Sequence, residues 1–358
     1  MTRLRIGAAL LAAAALAAAC GSDKKVAKPV ATTMSSTTST TTSTTVPPPA
    51  TGPAAPLTGL ATTADQAVLL LRPALAIKVD NAVEAMPQEG LNAADVVFEI
   101  KVEGISRLMA VFQSHDANEV GPTRSARYSD PNILALLGKP LFGWSGANDG
   151  VVASVSKSSW IVNVNWDRVK SSDYYRRSGR PAPHNLYTRT ATLYGYTQKG
   201  QPPARPLFSY ASTTAANTIP ATPVAGITLT VGDTPSSWVW DAPSASWLRW
   251  QYGRRDNDEA DGQVAAANVV ILDTRYGGGS RTPTALTVGS GHATVLSNGA
   301  MIEGTWSRTA VGAPYTITGK DGQPLLLTPG RSWVELTPGS TSHVMTAETA
   351  SGLLTSGR

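Results

Sequence analysis

The chain has a single cysteine, Cys20, and this limits how the protein can be stabilised. Cys20 directly follows a stretch in which Arg3 and Arg5 precede an apolar run at residues 6–19. That run is too short to span a bilayer comfortably, so residues 1–19 are predicted to be a cleaved signal peptide. Because one cysteine cannot form an intramolecular disulfide, the fold must be stable through its own hydrophobic core.

Cys20 is also the predicted attachment point of a lipid. Its neighbours Gly21 and Ser22 are typical of the site at which a bacterial lipoprotein is cut and acylated. The alternative is ordinary cleavage after Ala19, which leaves a free thiol at Cys20. The lipoprotein interpretation predicts that a lipid anchor holds the exported chain on the outer face of the cytoplasmic membrane.

The balance of charge argues against a nucleic-acid partner. The full chain has 30 basic and 25 acidic residues, and loss of Arg3 and Arg5 with the signal peptide leaves a net charge of only +3. This balance is too even for a protein that binds nucleic acid through a basic surface. We therefore expect no nucleic acid among the partners.

A tether is predicted between the lipid and the folded part, at residues 20–56. Residues 31–56 are nearly all Ser, Thr, Pro and Ala, a composition that cannot bury enough apolar area to become ordered. As a flexible coil, the tether reaches about 35 Å on average. The folded part is thus expected to stand away from the membrane surface.

The remainder of the chain predicts two domains. In residues 57–200, apolar runs such as "ALAIKVDN" and "DVVFEI" alternate with helix-like stretches, which indicates an α/β or α+β domain. Residues 201–225 are rich in proline and threonine and form the predicted linker. Residues 226–345 contain short β-rich runs separated by turn residues, which predicts a mainly antiparallel β domain. Residues 346–358 are left as a tail.

Tryptophan is concentrated in the predicted β domain. Six of the nine tryptophans lie there, at positions 238, 240, 247, 250, 306 and 333. Packing in the core or across strands is the commoner role for such a set. An aromatic surface that binds sugars is the alternative.

Two carboxylates of the first domain are candidates for acid and base catalysis. In "ADVVFEIKVEGISR", strand alternation places Glu99 and Glu103 on one face, and Arg107 follows a few residues later. Carboxylates on one face of a sheet can transfer protons or bind a cation. They can equally form a structural ion network with neighbouring basic residues.

The stretch "GPTRSAR", residues 121–127, contains two arginines and no acid. Thr123 or Ser125 is predicted to cap a helix that runs to about Gly138, interrupted at Pro131. Arg124 and Arg127 would then oppose the helix dipole, a cost that a bound anion would offset. The anion is either a ligand or a carboxylate of the neighbouring strand, Glu99 or Glu103.

The stretch "APHNLYT" supplies a further candidate site. Prolines hold His184 and Asn185 in an extended loop, where His184 can act as a general base or can simply bond to the backbone. The four histidines show no metal-ligand spacing, so no metal is expected. No motif for a nucleotide or a redox cofactor is present either, so no cofactor is expected.

The order of segments resembles the YerB-like lipoprotein family of the bacterial cell envelope, whose members pair two domains of unknown function. The matching stretches are "RPALAIKVDN", "GLNAADVVFEIKVEGISR", "GPTRSAR", "APHNLYT", "AANVVIL", "VGSGHATVLSNGAMIEGTW" and "PLLLTPGRSWVELTP". The resemblance implies that family residues map onto Glu99, Glu103, Arg107, Arg124, Arg127, His184 and Asn185. The pattern is also similar to envelope enzymes that transfer anionic polymers from polyprenyl pyrophosphate and hold the pyrophosphate with arginines.

Three hypotheses of function follow. The first is an anchored protein that binds an anionic envelope polymer or a lipid-linked precursor through Arg107, Arg124, Arg127 and Asn185. The second is an enzyme acting on wall glycan or on polyprenyl-linked precursors, with Glu99 or Glu103 and His184 as acid and base. The third is a structural lipoprotein in which the arginines and glutamates bind each other.

Overall fold

A computed structural model of the chain describes residues 52–212, 221–339 and 342–356. The predicted signal peptide, Cys20 and tether residues 20–51 lie outside the described residues, as do linker residues 213–220. The described residues all belong to one compact unit, Pro48–Arg358.

The N-terminal region has the mixed α/β character that its sequence predicts. Its helices are α1 (Ala64–Leu69), α2 (Asp130–Leu134), α3 (Asp149–Lys157) and α4 (Thr190–Tyr194), with 3-10 turns at Val83–Ala85 and Ala135–Leu137. Its strands are β1 (Leu75–Val79), β2 (Val96–Lys101), β3 (Ser106–Phe112), β4 (Leu141–Gly143), β5 (Val162–Asn163), β6 (Tyr174–Arg176) and β7 (Leu186–Thr188).

The C-terminal region consists mainly of antiparallel strands, as predicted. They are β8 (Thr222–Pro223), β9 (Gly226–Val231), β10 (Thr234–Asp241), β11 (Ser246–Gln251), β12 (Arg254–Arg255), β13 (Asn257–Asp258), β14 (Gly262–Gln263), β15 (Ala265–Ala266), β16 (Asn268–Asp273), β17 (Tyr276–Gly277), β18 (Thr284–Ala285), β19 (Gly289–Ser297), β20 (Ala300–Arg308), β21 (Thr316–Gly319), β22 (Ser332–Thr337) and β23 (His343–Val344). Helix α5 (Ala347–Thr355) follows them. Within the described ranges, no helix is long and apolar enough to cross a membrane.

One mixed sheet contains strands from both regions. Among the described residues, its order is β21-β20-β19-β16-β22-β2-β3-β1-β4-β5, with β8 paired to β20. Strand β22 lies between β16 and β2 and is parallel to both, so that Phe98 is the partner of Val334 in the register. The linker at residues 201–225 stays a prediction, but strands from both sides of it hydrogen bond in a single sheet.

Each face of this sheet is covered by a separate hydrophobic core. Phe98 and Val334 belong to one core, together with side chains of α2 and α3. Val97 and Trp333 belong to the other, together with side chains of α4 and of a second sheet that has the order β12-β11-β10-β9-β23. Successive residues of a strand point to opposite faces, so the alternation expected along β2 is confirmed. Both faces are buried, which is typical of central strands with parallel neighbours.

A charged cluster is buried where the two regions meet. Arg249 donates a hydrogen bond of 2.6 Å to Glu99 and forms a second ion pair with Asp256, and all three side chains are fully buried. Glu335 lies beside them and accepts a hydrogen bond of 3.0 Å from Trp238. Burial and then the negative charge of Glu99 hold the pKa of Glu335 well above its ordinary value. The neutral form of Glu335 is therefore favoured, because a second negative charge buried beside Glu99 would be costly.

The position of Glu99 does not support its predicted role as a catalytic acid or base. The side chain is fully buried, and its partners besides Arg249 are Ser106 and Trp333. The second sheet covers the face that sequence alternation left open, and Trp333 of the neighbouring strand β22 contacts Glu99 from the side. Glu99 therefore contributes to the core that joins the two regions.

The tryptophans of the C-terminal region are core residues. At most 2% of each of the following is exposed: Trp238, Trp247, Trp250, Trp306 and Trp333. Trp240 is partly buried against the same core as Trp238. Packing is therefore confirmed as the role of this set, and no sugar-binding surface is formed by it. The strongly exposed tryptophans of the described residues are instead Trp160 and Trp166, in the N-terminal region.

Candidate functional site

The segment "GPTRSAR" lies in a split between two parallel strands. Strands β1 and β4 pair at their first residues and then diverge, and the segment takes the place of β4 beside β1. Asp80 donates its backbone N–H to Pro122 at 2.8 Å, and Arg124 donates to Lys78 at 2.9 Å. On the other side, Ser145 donates to the carbonyl of Arg124 at 3.0 Å. The carboxyl ends of parallel strands at such a split are where open α/β sheets bind ligands.

The helix predicted to start in this segment starts later. Thr123 forms an antiparallel bridge with Val79, and its N–H donates to Leu186 at 2.5 Å, so the backbone here is extended. Helix α2 begins at Asp130, and Pro131 occupies its first turn, where the missing N–H of proline costs no hydrogen bond. Arg124 is therefore held between strands, whereas Arg127 lies in the turn directly before α2 and donates its N–H to the side chain of Asp130.

Asp80 is the central carboxylate of the site. It directly follows β1, and its side chain is only 1% exposed. One of its oxygens accepts hydrogen bonds from Nε of Arg124 at 2.9 Å and from Nδ1 of His184 at 2.8 Å. The contact orients the imidazole and leaves Nε2 of His184 without a hydrogen bond among the described residues. Sequence analysis missed Asp80, although a polar pair directly after a buried strand, "VDN", is a signal for this position.

Arg127 forms an ion pair with Glu103 at the edge of the site. It also donates to the carbonyls of Ser125 at 3.3 Å and Ala126 at 2.8 Å. The sequence analysis named Glu99 and Glu103 as possible partners of the two arginines, and Glu103 is the partner observed for Arg127. Because Glu103 neutralises Arg127, it is poorly placed to act as a free base.

Arg107 is buried without an acidic partner. It is 6% exposed, its nearest polar contact is the carbonyl of Ser125 at 3.5 Å, and its Nε has no hydrogen-bond partner among the described residues. Burial and then the positive charge of Arg127 lower the pKa of Arg107 to about 10, while Asp80 acts in the opposite direction. The guanidinium stays protonated at neutral pH, so a buried positive charge has no carboxylate within ion-pair distance among the described residues.

The site as a whole carries an excess of positive charge. Lys78 and Asp130 neutralise each other through a fully buried contact of 2.8 Å. The basic groups of the site are Lys78, Arg107, Arg124 and Arg127, and the acidic groups are Asp80, Glu103 and Asp130. One positive charge is therefore unpaired before His184 is counted. An anion with one or two negative charges would balance it.

Asn185 positions the loop that carries His184. Its amide oxygen accepts from Arg176 at 2.7 Å, and its amide nitrogen donates to the carbonyls of Arg177 at 3.3 Å and Arg180 at 3.0 Å. These bonds use both the oxygen and the nitrogen of its amide within the loop, and the ligand-binding role of Asn185 stays a prediction. No group of metal-binding side chains occurs within the ranges that the structure describes.

Comparison with known proteins identifies the family. Residues 57–202 match the N-terminal domain, and residues 227–334 match the C-terminal domain, of the protein family of unknown function DUF3048. The chain belongs to the DUF3048 family. All of the candidate residues from Asp80 to His184 lie in the DUF3048 N-terminal domain, whereas Arg249 and Asp256 of the buried cluster lie in the C-terminal domain.

The relatives of this DUF3048 protein agree with the resemblance found in its sequence. The chain is 30% identical to the "Putative lipoprotein YerB" of Bacillus subtilis over 302 residues, which are 79% of this chain and 86% of that protein. It is also similar to the crystal structure of YerB from Bacillus subtilis, with a TM-score of 0.70 and 25% sequence identity. That match covers 82% of this chain and 99% of the YerB chain.

Proposed function

We propose that the chain is a membrane-anchored lipoprotein of the cell envelope whose N-terminal domain binds an anionic ligand. The export signal and Cys20 in the sequence, and the name of the relative YerB, support the lipid anchor. The anchor places the site on the outer face of the cytoplasmic membrane. Ligands of the expected charge at that location are anionic wall polymers and lipid-linked precursors.

The buried guanidinium of Arg107 is the observation that carries this proposal. Burial of an unpaired charge is costly, and structural arginines offset the cost by pairing with carboxylates or, as Arg308 does, by donating to several backbone carbonyls. Arg249 of the same protein illustrates this, because it has two carboxylate partners. Arg107 has none, so its position is explained by a partner that arrives with the ligand.

The basic side chains of the site favour a phosphate over a metal ion or any other cation. Arginine presents a planar set of N–H donors that matches phosphate and carboxylate oxygens. Among the described residues, Arg124 has only Asp80 as a side-chain partner, through its Nε, so its two terminal nitrogens can donate to a ligand, and the side chain is 25% exposed. A ligand oxygen that bridges Arg124, Arg107 and His184 would satisfy all three groups.

A ligand panel tests the proposal through thermal stability. We expect phosphate-bearing envelope compounds to stabilise the full wild-type chain, by about 2.7 kcal/mol when the ligand is at 100 times its Kd. Arg124→Gln keeps a donor for Asp80 but loses the charge, so it should lose most of this response. Arg281→Gln, at an exposed position far along the chain, is the matched control and should respond like wild type. Equal responses in all three proteins would contradict the proposal.

Hydrolysis or transfer at an envelope phosphate or glycan bond is a second candidate function. The observation that favours it is the Asp80–His184 contact, because a buried carboxylate on Nδ1 is how many enzymes orient a histidine base. Asp80 thus orients His184, a role different from the acid or base role that the sequence predicted for Glu99 or Glu103.

His184→Gln separates the two candidate functions. If the protein is an enzyme, turnover of a polyprenyl pyrophosphate should fall by a factor of about 100 to 10,000 while ligand binding is largely kept. Turnover is measured as phosphate release, and binding as thermal stabilisation by the same compound. Equal phosphate release by the wild type and by His184→Gln would show that His184 is not the base.

A further inference from the structure

We infer that the ligand of this site is a glycosyl phosphate, with its sugar ring on Trp166 and its phosphate among the arginines. This inference rests on the proposed function and adds the chemical class of the ligand. Its first observation is that Trp166 is 39% exposed, although tryptophan is costly to leave in contact with water. A large exposed aromatic side chain beside a polar site is a common feature of binding surfaces.

The sheet places Trp166 at the same edge as the arginines. Trp166 follows β5, the next parallel strand after β4, and its N–H donates to Trp144 at 3.2 Å. Ser145, which follows Trp144 in the chain, donates its N–H to the carbonyl of Arg124 at 3.0 Å. Neighbouring strands are about 4.8 Å apart, so the backbones of Trp166 and Arg124 are separated by about 10 Å. A single ligand of two linked groups can contact both.

A chain of side-chain contacts joins Trp166 to the same site by another route. The guanidinium of Arg176 lies 5.3 Å from the centre of the Trp166 ring. Arg176 also donates to Asn185 at 2.7 Å, and the neighbouring His184 contacts Asp80. Arg176 has no acidic partner among the described residues, so it adds a further positive charge between Trp166 and His184.

Asn165 supplies a polar group next to Trp166 in the chain. It is 3% exposed, and its Oδ1 has no hydrogen-bond partner among the described residues. A buried amide oxygen of this kind needs a donor, and a sugar hydroxyl would provide one. Asn165 directly precedes Trp166 in the chain, so an acceptor that lacks a donor is a neighbour of the exposed ring in the sequence.

This combination selects the ligand class. Bare phosphate or a carboxylate would contact the arginines and gain nothing from Trp166 or Asn165. A sugar has an apolar C–H face that packs on an aromatic ring and hydroxyl groups that donate to an amide oxygen. A sugar joined to a phosphate satisfies both halves of the site.

Calorimetric titration of the full chain with inorganic phosphate and with glucose 1-phosphate tests the inference. We expect glucose 1-phosphate to bind wild type more tightly, and Trp166→Ala to weaken that binding about three- to tenfold without changing the affinity for phosphate. Trp160→Ala is the matched control, because Trp160 is 42% exposed but lies beside Gly312. It should change neither affinity.

The outcomes separate this inference from the proposed function. If wild type binds both compounds and Trp166→Ala has no effect, the inference is overturned and the anion site stands. If wild type binds neither compound, both are overturned. A third titration, with a polyprenyl phosphoglucose in micelles, distinguishes a lipid-linked sugar from a free glycan, and dependence on Trp166 in either form supports the inference.

Discussion

Arg249→Met is expected to lower the free energy of unfolding by about 3–5 kcal/mol, because it breaks a buried ion pair from one side only. Arg249 is fully buried and forms ion pairs with both Glu99 and Asp256. It also donates to Gln251 at 2.6 Å and lies 4.7 Å from the ring centre of Trp333. Methionine fills much of the volume but leaves two buried carboxylates without a counter-charge.

Urea unfolding of the full chain measures this loss, with Arg254→Met as the matched control. Arg254 lies on the adjoining strand β12 and is exposed, so its replacement should change the free energy of unfolding by less than about 0.5 kcal/mol. Similar losses in both variants would show that Arg249 has no special role. Because Arg249 binds Glu99 across the two DUF3048 domains, we also expect the wild type to unfold both domains in one transition.

Arg107→Met, unlike Arg249→Met, is not expected to lower the free energy of unfolding. The substitution removes a buried charge that has no carboxylate partner, so the free energy of unfolding of the ligand-free protein should be unchanged within about 1 kcal/mol, or should rise. The apolar part of the arginine side chain is replaced by a similar volume. The affinity for a phosphate ligand should nevertheless fall about 10- to 100-fold, because a charge-assisted hydrogen bond to the ligand is lost.

The third hypothesis, a purely structural role for the arginines, predicts the reverse. If Arg107 stabilises the fold, its loss should destabilise the ligand-free protein by several kcal/mol and should leave any response to anions unchanged. Urea unfolding with and without phosphate measures both quantities on the same samples. The pairing of Arg127 with Glu103 agrees with a structural role for Arg127, so Arg107 is the residue that decides between the hypotheses.

The fold class could be predicted from the sequence because it depends on local patterns. The alternation along "DVVFEI" and the turn-separated runs after residue 226 are local, and the structure confirms both. The burial of Glu99 could not be predicted, since it depends on β22, which is more than two hundred residues away in the chain. A charged residue on one face of a strand gives no sign of which distant element will cover that face.

Part of the candidate site could also be predicted from local features of the sequence. Arg107, Arg124 and His184 are prominent in the sequence, and the structure brings them together around Asp80. Asp80 was missed because a single aspartate after a strand is common. The start of the helix was misplaced because Thr123 resembles a helix cap, whereas its N–H bonds to Leu186 from a distant loop.

Titration of inorganic pyrophosphate into the wild type and into Arg107→Met tests the central claim most directly. We expect measurable binding to the wild type that weakens as salt is added, since it depends on charge. We expect binding at least about tenfold weaker to an Arg107→Met protein that is equally stable. Equal affinities in the two proteins, or no binding to the wild type, would contradict the claim that Arg107 binds an anionic ligand.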